Sequence, residues 1–372
     1  MKRTIFLVLL VEVFLACKQL DKSDFPVLSV DLSRMDSPSV FDIFERVEII
    51  PLETTDYSLI GGSASNIAFN NNHYYILDVR TNSLFCFNEQ GKFIKKIGNY
   101  GVGPEDYNYV TSFVIHDDEV ELLSPLRYLF TYKLTGKFVG KVKLPNVAPN
   151  YQEIVLLNDS IRILISRTES NQDQLYVYSI RSNVIINSFF QENPGIFNFN
   201  NNWFYKHNDS VYFYKPLKNK VYKINQHGYE VAYAWDFGKF NPETTKIEKD
   251  ITIEGLTEMF KTSQIKGIFN SSFQNNQYYY TRFNRIVNQD LFNPLYINVI
   301  YQKEGNKAYV FEKFKEDLFF FPVFWCDEYV LATSQIYQKK AVEPSVLDEE
   351  NRNKLNTIKD SDNPFIIKYY FK

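Results

Sequence analysis

Leu84-Phe85-Cys86-Phe87, followed by Gly91-Lys92-Phe93-Ile94, is a phrase that this chain repeats. Leu129-Phe130-Thr131-Tyr132 precedes Gly136-Lys137-Phe138-Val139 in the same register, and Val221-Tyr222-Lys223-Ile224 precedes Gly228. Leu175-Tyr176-Val177-Tyr178 is a weaker copy, with Ser182-Asn183 in place of the glycine. The starts lie 45, 46 and 46 residues apart. Self-similarity at that period marks propeller blades or another stacked repeat.

Each period divides into short alternating strands separated by turn residues. Residues 64–70, 73–78, 84–88 and 93–98 read as one blade, and residues 110–144, 152–190 and 203–237 as the next three. A fifth takes strands from 269–273, 278–283, 296–302 and 308–314. The sixth has three strands near the C-terminus (320–325, 329–337 and 364–371) and takes its fourth from residues 47–52. That overlap closes a ring and removes the exposed edges that would pair with other chains. The fold class expected is therefore all-β, a six-bladed β-propeller of four-stranded blades over residues 41–372. Two charged insertions, at 242–266 and 343–360, read as partly helical.

The 372 residues include 33 Phe and 27 Tyr but only 14 Gly and 14 Pro, a strand-rich composition with ample apolar surface for a core. A net charge of −3 with no Lys/Arg block leaves no electrostatic footprint for nucleic acid. The three cysteines form no disulfide framework. Cys86 and Cys326 sit in apolar strand patterns, as small buried thiols do, and a bridge between the first and last blades is conceivable.

Met1-Lys2-Arg3 precedes an apolar run from Ile5 to Ala16 that is too short to span a bilayer. Residues 1–16 read as a signal peptide. Ala16-Cys17 resembles the end of a bacterial lipobox, which makes Cys17 the lipidation site and residues 17–40 a lipid-anchored tether. Dual acylation holds a protein stably at a membrane. The leaflet stays open.

Gly98-Asn99-Tyr100-Gly101-Val102-Gly103-Pro104-Glu105-Asp106-Tyr107 resembles the crossover motif of the six-bladed β-propeller lipoproteins of Bacteroidetes, relatives of the NHL-repeat propellers. Val47-Glu48-Ile49-Ile50-Pro51-Leu52-Glu53-Thr54, Asp236-Phe237-Gly238-Lys239 and Asn363-Pro364-Phe365-Ile366-Ile367 are similar to that family as well. The resemblance implies the fold and an address at the outer membrane, and it implies no activity.

The Gly101, Gly103 and Pro104 loop follows a strand, but no helix and no Gly-Lys-Ser/Thr follows it. It reads as a tight structural crossover whose glycines supply positive φ, not as a phosphate cradle. His73, His116, His207 and His227 fall in turns of different blades without zinc spacing, so no metal and no cofactor is expected. Asp159-Ser160-Ile161 and Asp209-Ser210-Val211 resemble O-glycosylation sites of exported Bacteroidetes proteins, and turn chemistry explains Ser160 and Ser210 equally well.

One constellation follows from the repeat. A cation recurs at the end of the second strand of five blades: Arg80, Arg127, Arg167, Lys215 and Arg282. These would crown one mouth of the channel and bind an anionic glycan or a peptide carboxylate. The reading is a non-catalytic binding or scaffold propeller at the cell envelope. Two alternatives stay open: a carbohydrate lyase or hydrolase in the central funnel, and a docking subunit of an envelope protein complex.

Overall fold

The computed structural model of the protein describes residues 24–61, 66–166, 173–191, 203–242, 253–334 and 342–372. The leader, Cys17 and Arg167 lie outside these residues.

Two strands, β1 (Val27–Ser29) and β2 (Phe44–Pro51), precede the first blade. Blade 1 is β3 (Asn66–Asn70), β4 (His73–Asp78), β5 (Ser83–Asn88) and β6 (Phe93–Ile97). Blade 2 is β7 (Ser112–His116), β8 (Glu119–Ser124), β9 (Tyr128–Lys133) and β10 (Phe138–Lys143). Blade 3 is β11 (Glu153–Asn158), β12 (Ile161–Ile165), β13 (Asp173–Ser179) and β14 (Val184–Gln191). Blade 4 is β15 (Phe204–His207), β16 (Ser210–Tyr214), β17 (Lys220–Asn225) and β18 (Gly228–Asp236). After helix α1 (Ile253–Lys261), blade 5 is β19 (Gly267–Gln274), β20 (Tyr278–Val287), β21 (Asp290–Gln302) and β22 (Ala308–Phe311). Blade 6 begins with β23 (Pro322–Trp325) and β24 (Tyr329–Ser334), then passes through helix α2 (Glu349–Thr357) to β25 (Phe365–Phe371).

Blade 6 runs β23-β24-β25-β2, so the ring closes as the repeat count predicts. The pairing is antiparallel, from Phe44 opposite Phe371 to Pro51 opposite Phe365. Asn363, 2% exposed, locks the junction. Its carbonyl accepts from Ile60 N at 2.8 Å, and its amide donates to Glu53 O at 2.9 Å and Ser58 O at 2.8 Å. Its own backbone N–H donates to Thr54 Oγ1 at 2.7 Å.

Alternation along each strand sends side chains to both faces of its sheet, and each face meets a neighbouring blade. The core is accordingly a circle of interface clusters. Leu84 and Ile97 meet Val120 and Phe130 between blades 1 and 2. Leu123 and Leu129 meet Leu164 and Tyr176 between blades 2 and 3. Ile50, Ile76 and Phe85 meet Leu331 and Ile366 across the closure. An ion pair is buried in the circle: Arg162 (1% exposed) donates through Nε and Nη2 to both oxygens of Glu121 (3% exposed), each at 2.7 Å, joining blades 2 and 3.

Residues 24–43 differ from the expected tether. Beginning with β1, which pairs in parallel with β18, they run as a belt along the outer edges of blades 4 and 5. Asp36 N donates to Val310 O at 2.6 Å, and Lys315 N donates to Pro38 O at 2.8 Å. The belt then enters β2. The alternation of exposed Val27, Ser29 and Asp31 with buried Leu28, Val30 and Leu32 explains why the segment adds to an edge. The expected helical insertions appear as α1 and α2. Met259 and Phe260 of α1 pack on Leu217, Ile265 and Ile268. Helix α2 lies against β2, where Asn351 Oδ1 accepts from Ile49 N at 2.8 Å.

Asn363→Leu keeps the volume of the residue but orphans Ile60 N and the two carbonyls beneath it. Each buried unpaired group costs about 1–3 kcal/mol, so a total loss of roughly 3 kcal/mol is expected. Urea unfolding measures it, and a midpoint equal to that of the wild type would contradict the clamp.

Candidate functional site

The innermost strands β3, β7, β11, β15, β19 and β23 each end their sheet, so their free edges face the axis. They enclose a central cavity of about 470 Å³. Its wall is largely apolar and aromatic, with Phe113, Phe204, Tyr205, Phe273, Phe324 and Trp325. Trp325 stacks on Phe273 with ring centroids 6.2 Å apart and planes at 9°. At one end Glu153 is already engaged: its carboxylate accepts from Trp203 N at 3.1 and 3.2 Å. The other end reaches His207, Asn208, Asp209, Asp327 and Glu328.

This second mouth is formed by the hairpins joining the first and second strands of the blades. Such tight hairpins need residues that tolerate positive φ, which Asn and Asp do best after glycine. The chain uses no glycine there: Asn71, Asn72, Asp117, Asn208 and Asp209 have φ between 47° and 59°. Turn chemistry therefore sets amides and carboxylates around one mouth, and bonds link them from blade to blade. Asn208 Nδ2 donates to Asn276 Oδ1 at 3.2 Å. Asn276 donates through N and Nδ2 to both oxygens of Asp327, each at 2.8 Å. His116 Nε2 lies 3.1 Å from Asp159 Oδ1. Ser160 precedes β12 and Ser210 opens β16, and each bonds locally: Ser160 N to Asn158 Oδ1 at 3.0 Å, Ser210 Oγ to Asn208 O at 3.4 Å.

His207 sits at this mouth with its pKa below the ordinary imidazole value. Burial is the first cause and the charge of Lys303 adds to it, while Asp327 opposes them. Lys303 is itself lowered by burial, lies 4.2 Å from the centre of the Tyr279 ring and donates to Gln274 Oε1 at 3.3 Å.

Of the five cations expected to crown the opposite mouth, four lie among the described residues. Each described member touches the protein itself. Arg80 donates to Gly61 O at 2.6 Å. Arg127 donates to Asn146 Oδ1 and Ala148 O. Arg282 donates through Nε to Asn270 Oδ1 at 2.8 Å and stands over the Phe321 ring. Lys215 is 8% exposed and lies over Phe190. Arg80 and Arg127 cap crossovers, which confirms that strand ends and crossovers share one face. Arg282 lies within β20, not at its end, because that strand continues to Val287.

The crossover around Gly101 and Gly103 is a structural loop for a reason other than positive φ. Of the loop's glycines only Gly98 has positive φ, at 69°. A Cβ at Gly101 or Gly103 would fall 2.4 or 2.7 Å from Asp106 Oδ2, which accepts from Gly103 N at 3.0 Å. The glycines make room for that carboxylate.

Both described cysteines are free. Burial raises the thiol pKa of Cys86 and pushes that of Cys326 up to about 11, so neither is a ready nucleophile. Among the described residues no group of three His, Cys, Asp or Glu side chains could hold a metal ion. A second cavity, about 560 Å³, lies between the belt and β22, lined by Arg34, Asp36, Lys307 and Tyr309.

A family profile described as "Domain of unknown function (DUF4934)" matches residues 25–370. A presumed exported protein of Bacteroides fragilis superposes with a TM-score of 0.73 at 17% identity, over 93% of this chain and 99% of its own. A DUF4221-family protein of Bacteroides vulgatus superposes with a TM-score of 0.53 at 11% identity, over 88% of this chain and 97% of its own. At these identities the likeness shows the fold. No curated protein matches the chain in sequence.

In an NMR titration His207 is expected to have its midpoint below the ordinary 6.5. Lys303→Met should move it up by removing a positive neighbour, and Asp327→Asn should move it further down. Shifts of the opposite sign would contradict the arrangement at this mouth.

Proposed function

The chain belongs to the DUF4934 family, and from that premise we propose an exported, non-catalytic binding propeller of the cell envelope. The apolar leader in residues 1–16 supports export, as does the similarity to a presumed exported Bacteroides fragilis protein. In this reading Cys17 is the lipidated residue that anchors the propeller to the outer membrane, as in the NHL-like lipoproteins that the sequence resembles. Six residues separate Cys17 from Asp24, a reach of at most about 25 Å over the seven Cα–Cα steps. The belt carries the chain to the outer edge of blade 4, so that edge faces the anchoring surface.

The ligand enters the central cavity by the mouth of amides and carboxylates. One observation carries this assignment: an aromatic wall ends at Asp209, Asp327, Glu328, Asn208 and His207. The rings of that wall are packed between the blades and give a rigid apolar surface, and the amides and carboxylates at the mouth accept from hydroxyl and ammonium groups. A neutral or amino-bearing glycan fits that chemistry, and so does a short basic peptide segment. An acidic glycan or peptide carboxylate would instead use the crown of Arg80, Arg127, Arg167, Lys215 and Arg282. Four of those cations contact the propeller itself, so the acidic mouth is the better supported of the two.

A glycan array followed by calorimetry on the soluble chain tests the reading. Asp209→Ala with Glu328→Ala should weaken binding of a neutral or amino-bearing glycan at least about tenfold, or ~1.4 kcal/mol. Arg80→Ala with Arg127→Ala should leave it unchanged. Binding confined to acidic glycans and lost in the arginine variant would move the site to the other mouth.

A further inference from the structure

The outer edges of the blades are treated unequally. The edge of β18 is covered by β1, that of β22 by Asp36, which receives Val310 N at 2.9 Å, and that of β2 by Asn351. Glu53 closes the start of β6 by accepting from Phe93 N at 2.9 Å. Among the described residues, nothing covers the edge of β10 in blade 2 in this way. The one hydrogen bond that this edge receives from another blade, among the described residues, comes from Asn183, which donates to Lys143 O at 3.4 Å. A Cβ at Gly140 would meet nothing within 4 Å.

This open edge is basic. Lys137, Lys141 and Lys143 are all exposed, and among the described residues none forms an ion pair, whereas Lys133 nearby pairs with Asp118 and Glu119 at 2.9 Å. Lys141 lies over the rings of Tyr128 and Phe130, which hold its stem against the strand. Between the lysines stand Val139, 49% exposed at the bulge of the strand, and Val142, 37% exposed. The patch continues onto blade 1: a Cβ placed at Gly136 would lie 4.0 Å from Lys96 O, and Ile94 is 46% exposed on β6 beside Lys95 and Lys96.

We infer that the edge of β10 receives an extended acidic segment of a partner protein as a fifth strand. The protein displays this mode of addition on itself, where residues Val27–Ser29 lie along β18. Lysines on an edge repel stray strands. A segment carrying Glu or Asp at alternate positions turns that repulsion into attraction, while main-chain bonds supply the affinity. Apolar residues of the segment would meet Val139 and Val142. The edge of β14 in blade 3 has no charged residue between Val184 and Gln191 and so lacks this complement. Blade 2 is also not the blade where the chain leaves toward its N-terminus, which keeps its edge free for a partner.

A labelled peptide of alternating Glu and Val, followed by fluorescence anisotropy, tests the inference on the soluble chain. The acidic peptide should bind, and its Lys-Val counterpart should not. Affinity should fall as salt rises from ~50 to ~150 mM. Lys137→Glu with Lys141→Glu and Lys143→Glu should weaken binding at least about tenfold. The control Lys313→Glu, on the far side of the ring, should not. Hydrogen exchange should slow at the β10 amides on binding, which attraction between charges alone would not produce. Absent binding, undiminished binding by the triple variant with an unchanged melting temperature, or protection elsewhere than β10 would overturn the inference. So would displacement of the peptide by vesicles containing phosphatidylglycerol, which would make the edge a lipid-binding surface.

Discussion

Everything in this fold depends on the seam where β2 completes the sheet of β25. Each blade is apolar on both faces and is buried only because a neighbour stands on either side. An open array of six would leave two such faces in water, those now joined through Ile50, Ile76, Leu331 and Ile366. The seam joins residues more than 300 positions apart, so its loop-closure entropy is large and the contacts must be cooperative. Asn363 supplies that cooperativity: one side chain satisfies groups on residues 53, 58 and 60 at once, and an amide with all its bonds made is stable in a buried place where a partly bonded one is not.

The ring was legible because a propeller writes its period into the chain. The Leu-Phe-x-Phe and Gly-Lys-Phe phrases mark the third and fourth strands of blades 1 and 2, and turn residues mark the rest. Another periodic feature is visible only in the pairing. The outer strand carries a bulge in five blades, leaving Glu45, Ile94, Val139, Ile186 and Ala232 unpaired, at one register in blades 1, 2 and 3 and two residues away from it in blade 4. Their chemistry differs so much that residue identity gives no hint of equivalence. The belt was missed although its alternation is plain in Leu28, Val30 and Leu32. Three pairs of residues are too short a signal to stand out beside a polar stretch that reads as a tether.

The candidate site was legible in part, and the reason is local chemistry. Cations recur after the second strand because crossovers leave carbonyl groups near that point, as Gly61 and Ala148 show beside Arg80 and Arg127. Their recurrence resembles a binding crown in the sequence, and in three dimensions it also serves loop capping. The opposite mouth was written as a run of ordinary turns: Asn71-Asn72, Asp117-Asp118, Asn208-Asp209 and Asp327-Glu328. A turn preference repeated around an axis becomes a ring of acceptors, and no single turn announces it.

The buried charges bear on the choice between binding and catalysis. Glu121 is held in a two-point pair with Arg162, and both oxygens of Glu153 receive Trp203 N. Each joins one blade to the next, and each has its lone pairs directed at the protein instead of the cavity. A carboxylate that must take or give a proton needs a pKa near the working pH and a free approach to substrate. Glu121 and Glu153, each committed to two bonds with the protein, offer no such approach. The side chains that do face the cavity with free approach sit at the mouth among water-exposed turns. They present hydrogen-bonding groups to whatever enters the cavity, which favours the proposed binding role.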